Sequence, residues 1–177
     1  MKAVQRVDWV RCLGWLKSGT ALLLLGSLFW ASAALMTLES TAVSAQDAWI
    51  SAWVDDLRQS NERWIQINIS QRRLIAWEGN TQVFTATVST GRDDEPTLPG
   101  VFTIQDKQER AWMKGDNYEI PNVPYTMYYS GNYAIHGAYW HDQFGSAISN
   151  GCVNLPVEQA QWLFNWASIG TPVVIEP

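Results

Sequence analysis

Short segments in which apolar and polar residues alternate recur after residue 63, and this period of two most restricts what the chain can fold into. The clearest segment is Trp64–Ile69, which Arg73–Trp77 follows after a turn. A third, Gln82–Ser89, is rich in β-branched and aromatic residues. Further strand signals lie at Val101–Ile104, Tyr125–Tyr129, Tyr133–His136 and Val173–Ile175, and residues 91–100 form a loop containing Pro96 and Pro99. The pattern predicts a mostly β domain.

Two segments have helical spacing instead. The first, Asp47–Ser60, carries Trp49, Ile50, Trp53, Val54 and Leu57 on one face. Its two tryptophans either pack on the domain, which we favour, or lie on a membrane surface. The second helix begins near Pro156 and ends at Gly170, with an inner stripe of Val157, Ala160, Leu163, Phe164 and Ala167. We therefore predict a mostly β fold with one α-helix in its C-terminal half and a short N-terminal helix.

The first 45 residues read as a leader rather than as part of the fold. Four basic residues precede an apolar run from about Ala21 to Leu38, and Val43-Ser44-Ala45 offers the small residues that a signal peptidase requires. The segment is either a cleaved signal peptide, which this site favours, or an uncleaved membrane anchor through residues 19–38. Either interpretation predicts export, to the periplasm or cell wall, with inner-membrane anchoring if the leader is retained. Residues 46–63 are then a helical lead-in, and residues 64–177 are the main domain.

Charge and cysteine content narrow the function of the exported part. Its 132 residues carry 8 basic and 15 acidic side chains, a formal charge of −7. This balance argues against nucleic-acid binding, which requires a basic surface. Cys152 is the only cysteine after residue 45. A single thiol in an exported protein is unusual, so Cys152 is either a small buried hydrophobe or a reactive group that pairing would destroy.

A histidine and this cysteine form the candidate chemistry. His136-Gly137 ends a strand, and Cys152 follows 16 residues after the histidine within Ser149–Asn154. A cysteine nucleophile needs a base to accept its proton and backbone N–H groups to stabilise an oxyanion. By itself the pair is a weak signal, and a structural histidine beside a buried cysteine is the favoured interpretation of it. Zinc is not expected, because His136, His141, Asp142 and Cys152 lack metal-ligand spacing. The second helix is expected to bring its positive end close to the thiolate.

A longer set of motifs is far more specific. The set comprises Ile135-His136-Gly137, Ser149–Leu155, Ala160 and Gly170–Ile175, with Ser89-Thr90-Gly91, Thr97–Phe102 and Ile65–Leu74 upstream. In order and spacing it resembles the L,D-transpeptidase (YkuD-type) catalytic domain over about residues 64–175. The resemblance implies a β-sandwich-like domain that cross-links peptidoglycan without a cofactor, in cell-wall biogenesis and the maintenance of cell shape.

The resemblance also implies roles for individual residues. Cys152 attacks the carbonyl of the third stem residue and expels the terminal D-alanine, and an amine of a neighbouring stem resolves the acyl-enzyme. His136 serves as base and then as acid. The matching substrate-binding and oxyanion positions are Ser149, Asn150, Gly151, Asn154, Gly137 and Tyr139, with the N–H groups of Gly151 and Cys152 as the oxyanion hole. The implied partners are peptidoglycan stems and carbapenem-type inhibitors.

One departure from the family pattern is Asn150, where most members have a histidine. Asparagine is no general base near pH 7, but His136 is present, so activity is expected to survive. The alternatives are an L,D-carboxypeptidase, in which water replaces the amine, and a non-catalytic peptidoglycan-binding domain.

Several further side chains are candidates for the cleft around the thiol. His141 is expected in a flap, Tyr139–Gly145, whose Tyr139, Trp140 and Phe144 would contact the peptide. Tyr125, Met127 and Tyr129 either line the groove or belong to the core. Arg92 and Arg110 either bind substrate carboxylates or form surface ion pairs, and we favour the ion pairs.

Overall fold

The computed structural model describes residues 44–115 and 118–177, which form two helices and eleven strands. The helices are α1 (Ala45–Gln59) and α2 (Val157–Trp166). The strands are β1 (Arg63–Asn68), β2 (Arg73–Glu78), β3 (Thr81–Thr87), β4 (Thr90–Gly91), β5 (Gly100–Thr103), β6 (Asp106–Lys114), β7 (Glu119–Ser130), β8 (Tyr133–Gly137), β9 (Ala147–Ser149), β10 (Val153–Leu155) and β11 (Pro172–Glu176). The leader expected over residues 1–45 lies almost wholly outside the described residues.

The strands form two larger sheets and one small one. The first sheet has the order β3-β2-β1-β11-β5, and its central pair, β1 and β11, is parallel with Ile65 opposite Val173. The second has the order β10-β8-β7-β6, and β10 and β8 are parallel with Asn154 opposite His136. The third consists only of β4 and β9. The mostly β prediction is confirmed.

The two larger sheets share one hydrophobic core. Ile65, Ile67 and Leu74 from the first sheet and Met127 and Ile135 from the second are fully buried in it. Burying one such side chain stabilises the fold by roughly 1.5–3 kcal/mol. Because side chains alternate along a strand, these residues place the neighbouring positions of β8 and β10 on the outer face of the second sheet. That outer face holds the candidate site.

Helix α1 covers the other side of the first sheet. Its Ile50, Val54 and Leu57 are buried in a cluster with Trp64 and Val174. We expected the two tryptophans of α1 to pack on the domain, but Trp49 and Trp53 are 50% and 41% exposed. Their rings meet each other edge to face at 6.3 Å. The amphipathic helix is therefore confirmed, but its tryptophan pair faces outward.

Several elements differ from the sequence prediction. Strands β4, β6, β9 and β10 were not expected, and β7 begins at Glu119, six residues before the predicted start. Helix α2 ends at Trp166 rather than at Gly170, and the left-handed Gly170 (φ 91°) turns the chain towards β11. Across residues 44–115 and 118–177, neither helix has the length and apolar character needed to span a membrane.

Candidate active site

Strand register brings the two candidate catalytic side chains to one face of the second sheet. His136 on β8 lies opposite Asn154 on β10, and Cys152 precedes Asn154 by two residues. Residues two apart on a strand point to the same side, and so do directly opposed residues on neighbouring strands. His136, Asn154 and Cys152 therefore share the outer face, and all three line one cleft.

The thiol of Cys152 is nearly buried, with 8% of the residue exposed. It is the only free cysteine in the described part of the chain. The sulphur lies 3.6 Å from the carbonyl oxygen of Asn132, to which the S–H donates. Burial raises the pKa of the thiol to about 11, and a hydrogen bond from the backbone of Ala134 only partly offsets this. Cys152 thus rests as a thiol.

The imidazole of His136 has a defined tautomer. Its Nδ1 lies 3.0 Å from the carbonyl oxygen of Gly137. Because a carbonyl oxygen only accepts, Nδ1 carries the proton and Nε2 keeps its lone pair. The ring is 2% exposed, and this burial lowers the pKa of His136 to about 4, with a further lowering from His141 and an opposing effect of the Gly137 carbonyl. His136 therefore rests as a neutral base.

A thiol and a neutral imidazole together define the resting state of the site. Burial raises the pKa of Cys152 and lowers that of His136, and both effects disfavour transfer of the proton before any attack. Helix α2 begins at Val157, two residues after the end of β10. The expectation that its positive end lies close to the sulphur of Cys152 stays a prediction.

The nucleophile loop, residues 149–152, is fastened to the segment between β3 and β5. The backbone N–H of Arg92 donates to the carbonyl oxygen of Ser149 at 3.1 Å, and the Thr97 hydroxyl donates to the carbonyl oxygen of Gly151 at 2.9 Å. Within the loop, the Ser149 hydroxyl donates to the carbonyl of Cys152 at 2.5 Å. Gly151 has a left-handed φ of 95°, and a Cβ there would lie 2.6 Å from the Tyr133 ring. The cysteine is thus held on a rigid loop.

Asn150, the departure from the family pattern, is held by an arginine. The guanidinium of Arg92 donates to the Asn150 side-chain oxygen. The same guanidinium forms ion pairs with Asp94 at 2.7 Å and Glu95 at 3.1 Å. Arg92 therefore makes the ion pairs favoured by the sequence and also fixes the residue beside Gly151.

His141 is joined to the site through Asn154. Its Nδ1 accepts from the Gln143 N–H at 3.3 Å, which leaves the proton of the neutral ring on Nε2. That nitrogen lies 3.0 Å from the side-chain amide of Asn154, whose buried oxygen otherwise has no partner. An Asn154 amide turned so that its oxygen faces His141 satisfies both groups. Burial lowers the pKa of His141, against the effect of Asp142, which supports the neutral ring.

The segment expected as a flap, residues 139–145, is bonded to the domain at three points. The Ser89 hydroxyl donates to the carbonyl of Gln143 at 2.9 Å, and the Gly145 N–H donates to Val88 at 3.0 Å. The Tyr139 hydroxyl donates to the carbonyl of Pro121 at 2.8 Å. The segment forms a fixed wall, and Trp140 and His141 project from it into the cleft.

The cleft combines predicted residues with others that the sequence did not suggest. The predicted lining residues are His136, Trp140, His141, Ser149, Asn150, Cys152 and Asn154. The others are Met113, Tyr118, Ile120 and Ile148. Met113, Tyr118 and Ile120 come from β6, the β6–β7 connection and β7. In β6, the alternation of apolar Ala111 and Met113 with other residues is the one signal that could have indicated a buried face.

Some predicted residues lie outside this cleft. Gly137 gives its carbonyl to His136 and leaves room for α2, since a Cβ there would lie 3.2 Å from Val157. Tyr139 and Arg110 line a separate groove that includes Tyr125. Met127 and Tyr129 are fully buried, so these two residues of β7 belong to the core and do not line the groove around the thiol. Among the described residues no three His, Cys, Asp or Glu side chains come together as a metal site would require.

The chain is similar to one protein family and to several known proteins. The YkuD family model, described as the L,D-transpeptidase catalytic domain, matches residues 62–175. A Mycobacterium tuberculosis protein named "Probable L,D-transpeptidase 3" is 30% identical over 100 residues, which cover 50% of this chain and 37% of that protein. The chain thus spans little more than a third of that relative's length.

Two solved structures are similar in fold and sequence. The catalytic domain of the Enterococcus faecium L,D-transpeptidase is 27% identical, with a TM-score of 0.59 over 65% of this chain and 97% of that one. The avibactam carbamoyl enzyme of Ldtfm is also 27% identical, with a TM-score of 0.62 over 66% of this chain and 49% of that one.

Proposed function

The chain belongs to the YkuD family of L,D-transpeptidase catalytic domains, and from this premise we propose that it is an exported cysteine L,D-transpeptidase acting on peptidoglycan. The enzyme would remove the terminal D-alanine of a tetrapeptide stem through an acyl-enzyme on Cys152 and transfer the acyl group to an amine. One observation carries the proposal. The thiol of Cys152 and the lone pair of His136 Nε2 belong to side chains on the same sheet face, and both residues line one cleft.

The first half-reaction forms the acyl-enzyme. The sulphur of Cys152 attacks the carbonyl carbon of the third stem residue while His136 Nε2 takes the thiol proton. The resulting oxyanion accepts hydrogen bonds from the N–H groups of Gly151 and Cys152. When the tetrahedral intermediate collapses, the bond to D-alanine breaks, and the imidazolium of His136 gives its proton to the departing amine. The products are a thioester and free D-alanine.

The second half-reaction resolves the thioester. An acceptor amine attacks the thioester carbonyl, and His136, now neutral again, accepts the proton that the amine loses. The carbon–sulphur bond then breaks, and the proton returns to the sulphur of Cys152. Because the Gly137 carbonyl holds the proton on Nδ1, Nε2 is the nitrogen available in both halves.

Asn150 is compatible with this chemistry because it carries no proton-transfer step. Its side chain accepts from Arg92, and the carboxylates of Asp94 and Glu95 hold that arginine. Asn150 therefore helps to hold the loop beside Cys152 in place. Retention of both Cys152 and His136 supports an active enzyme over an inert wall-binding domain.

Inhibition by carbapenems is part of the proposal. Such compounds carry a strained amide carbonyl that a thiol can open to give a thioester, the same chemistry as the first half-reaction. The carbamoyl enzyme that Ldtfm forms with avibactam supports covalent trapping in a protein of this fold.

Export is also part of the proposal, and it rests on residues 1–45. The basic start, the apolar run and the small residues before Gln46 support a cleaved signal peptide, with anchoring through residues 19–38 if cleavage fails. The site of action would be the periplasm or cell wall. Intact-mass measurement of the exported protein decides between the two: a chain beginning at Gln46 indicates cleavage, and the full mass indicates an anchor.

Incubation with purified tetrapeptide stem fragments, followed by mass spectrometry of the products, tests the activity. Cross-linked dimers and released D-alanine are expected from the wild type, with neither product from Cys152→Ala. Formation of tripeptide without dimers would show that water rather than an amine resolves the acyl-enzyme, as in an L,D-carboxypeptidase. Unchanged stems together with retained binding to sacculi would overturn the enzyme assignment in favour of a binding domain.

A further inference from the structure

We propose that Thr97 is a positioning residue that sets the direction of the oxyanion-binding N–H of Cys152, an inference that deepens the proposed function and rests on it. Thr97 lies in the connection between β4 and β5, well separated in sequence from the nucleophile. Its side chain reaches the nucleophile loop through a single hydroxyl.

The polarity of the Thr97 hydrogen bonds is unambiguous. The residue is 3% exposed, and its Oγ1 lies 2.9 Å from the Gly91 nitrogen and 2.9 Å from the Gly151 oxygen. The Gly91 N–H can only donate, so Oγ1 accepts from it. The Gly151 carbonyl can only accept, so the single hydroxyl proton of Thr97 points at that carbonyl.

Holding this carbonyl fixes the adjacent N–H. The carbonyl of Gly151 and the N–H of Cys152 belong to one peptide unit, which is planar and trans, so the two groups point in opposite directions. A hydrogen bond to the carbonyl therefore also sets the direction of the Cys152 N–H. Among the described residues, no acceptor takes a hydrogen bond from that N–H, which leaves it available to an oxyanion.

The surroundings of Thr97 are built to hold this geometry. A Cβ on Gly91 would lie 2.2 Å from the Glu95 oxygen and 2.5 Å from the Thr97 nitrogen, so only glycine allows the loop to close at this point. On the other side, the Tyr133 ring packs against Gly151 where its Cβ would be. These contacts hold the backbone of Thr97 and the Cα of Gly151 in place, and the hydroxyl of Thr97 then sets the orientation of the Gly151–Cys152 peptide.

Two electrophiles separate this role from a general structural one. Acylation of Cys152 by 4-nitrophenyl acetate forms a carbon–sulphur bond, expels nitrophenolate and passes through a tetrahedral oxyanion. Alkylation by iodoacetamide forms a carbon–sulphur bond and expels iodide, with no oxyanion. A misdirected N–H slows the first reaction alone, whereas a displaced thiol slows both.

The test compares Thr97→Val, Thr97→Ser and a matched control, Thr90→Val. Valine keeps the shape of threonine but removes the hydroxyl, and serine keeps the hydroxyl. Thr90 is fully buried in the same segment, and its Oγ1 has no hydrogen-bond partner among the described residues. Should Thr97→Val fail to fold by circular dichroism, Thr97→Ala is the second variant without a hydroxyl.

We expect Thr97→Val to slow acylation by about tenfold to a hundredfold, somewhat less than the loss of a whole oxyanion donor, with alkylation within about twofold of wild type. Thr97→Ser should recover most of the acylation rate, and Thr90→Val should alter neither rate. Equal slowing of both reactions, or no slowing of acylation, would overturn the inference. The wild type could fail to release D-alanine from stems while the variants still show the expected rates with 4-nitrophenyl acetate and iodoacetamide. That result would overturn only the proposed substrate.

Discussion

The buried imidazole of His136 makes the stability of the folded protein depend on pH. Burial lowers the pKa of this histidine to about 4, below the 6.5 of an exposed imidazole. Between these two values the unfolded chain binds a proton at this residue that the folded chain does not, so stability falls as the pH falls. The loss reaches about 2–3 kcal/mol at pH 4.5.

We therefore expect the wild type to lose more stability than His136→Gln when urea unfolding is compared at pH 7 and pH 4.5. The variant has no titrating group at this position. His141→Gln keeps the buried His136 and is the control: it should still lose more stability than His136→Gln, although less than the wild type, because burial lowers the pKa of His141 as well. An equal loss in wild type and His136→Gln would show that His136 is not held neutral by burial.

The two histidines should also separate kinetically. His136→Ala is expected to reduce the rate of D-alanine release by about a hundredfold to ten-thousandfold, the usual cost of losing a general base. His141 bonds to Asn154 on the cleft wall, so His141→Ala should mainly raise KM. Steady-state kinetics with tetrapeptide stems measure both. The reverse pattern, with kcat lost in His141→Ala and kept in His136→Ala, would exchange the assigned roles.

The sequence singled out His136 and Cys152 as a candidate pair but did not indicate how the two side chains are held. His136 and Cys152 stand out because few residue types perform nucleophilic catalysis and their spacing matches a family. The bond from Arg92 to Asn150 depends on how the loop after β4 folds back, which no local pattern records. The raised pKa of the Cys152 thiol likewise follows from burial in three dimensions.

At the scale of elements, α2 is attached to the second sheet by a lysine. The Lys107 ammonium on β6 donates to the carbonyls of Phe164 and Ala167 at 2.6 and 2.5 Å, and lies 4.3 Å from the Phe164 ring centre. These carbonyls belong to the C-terminal end of the helix, whose last turn contains no basic residue. A cation at that end satisfies unpaired carbonyls and the helix dipole.

Lys107→Met should therefore destabilise the protein by about 1–3 kcal/mol, since methionine keeps most of the packing but donates to neither carbonyl. Lys114→Met on the same strand is the matched control. Among the described residues its ammonium forms one ion pair, with the exposed Glu119 at 3.8 Å, so a change below about 0.5 kcal/mol is expected. Urea unfolding at pH 7 measures both, and equal effects would exclude a helix-capping role for Lys107.

Elements with a clear hydrophobic period were predicted well, and those without one were missed. The segment of β1 alternates, β2 is an apolar run, β3 is rich in β-branched and aromatic residues, and the buried positions of α1 recur at helical spacing. Strand β6 opens with five polar or charged residues, and most of its side chains are exposed. Strand β7 contains Pro121 and Pro124, which weaken a strand pattern. Pairing between these two strands, rather than propensity in either, creates the hairpin that walls the cleft.

At the scale of the whole molecule, the two faces of the sandwich have different tasks. The first sheet is covered on its outer side by α1, while the outer side of the second sheet carries the nucleophile. The core between the sheets fixes the strand register, and that register brings His136 and Cys152 together. The central claim is that this arrangement acylates Cys152 with a peptidoglycan stem.

Intact-mass spectrometry of the protein mixed with tetrapeptide stem in the absence of an added acceptor tests that claim most directly. We predict a mass increase equal to the tripeptide acyl group, located on Cys152 by peptide mapping, absent from Cys152→Ala and discharged when an acceptor stem is added. Release of D-alanine by Cys152→Ala at the wild-type rate, or an acyl group mapped to another residue, would contradict the claim.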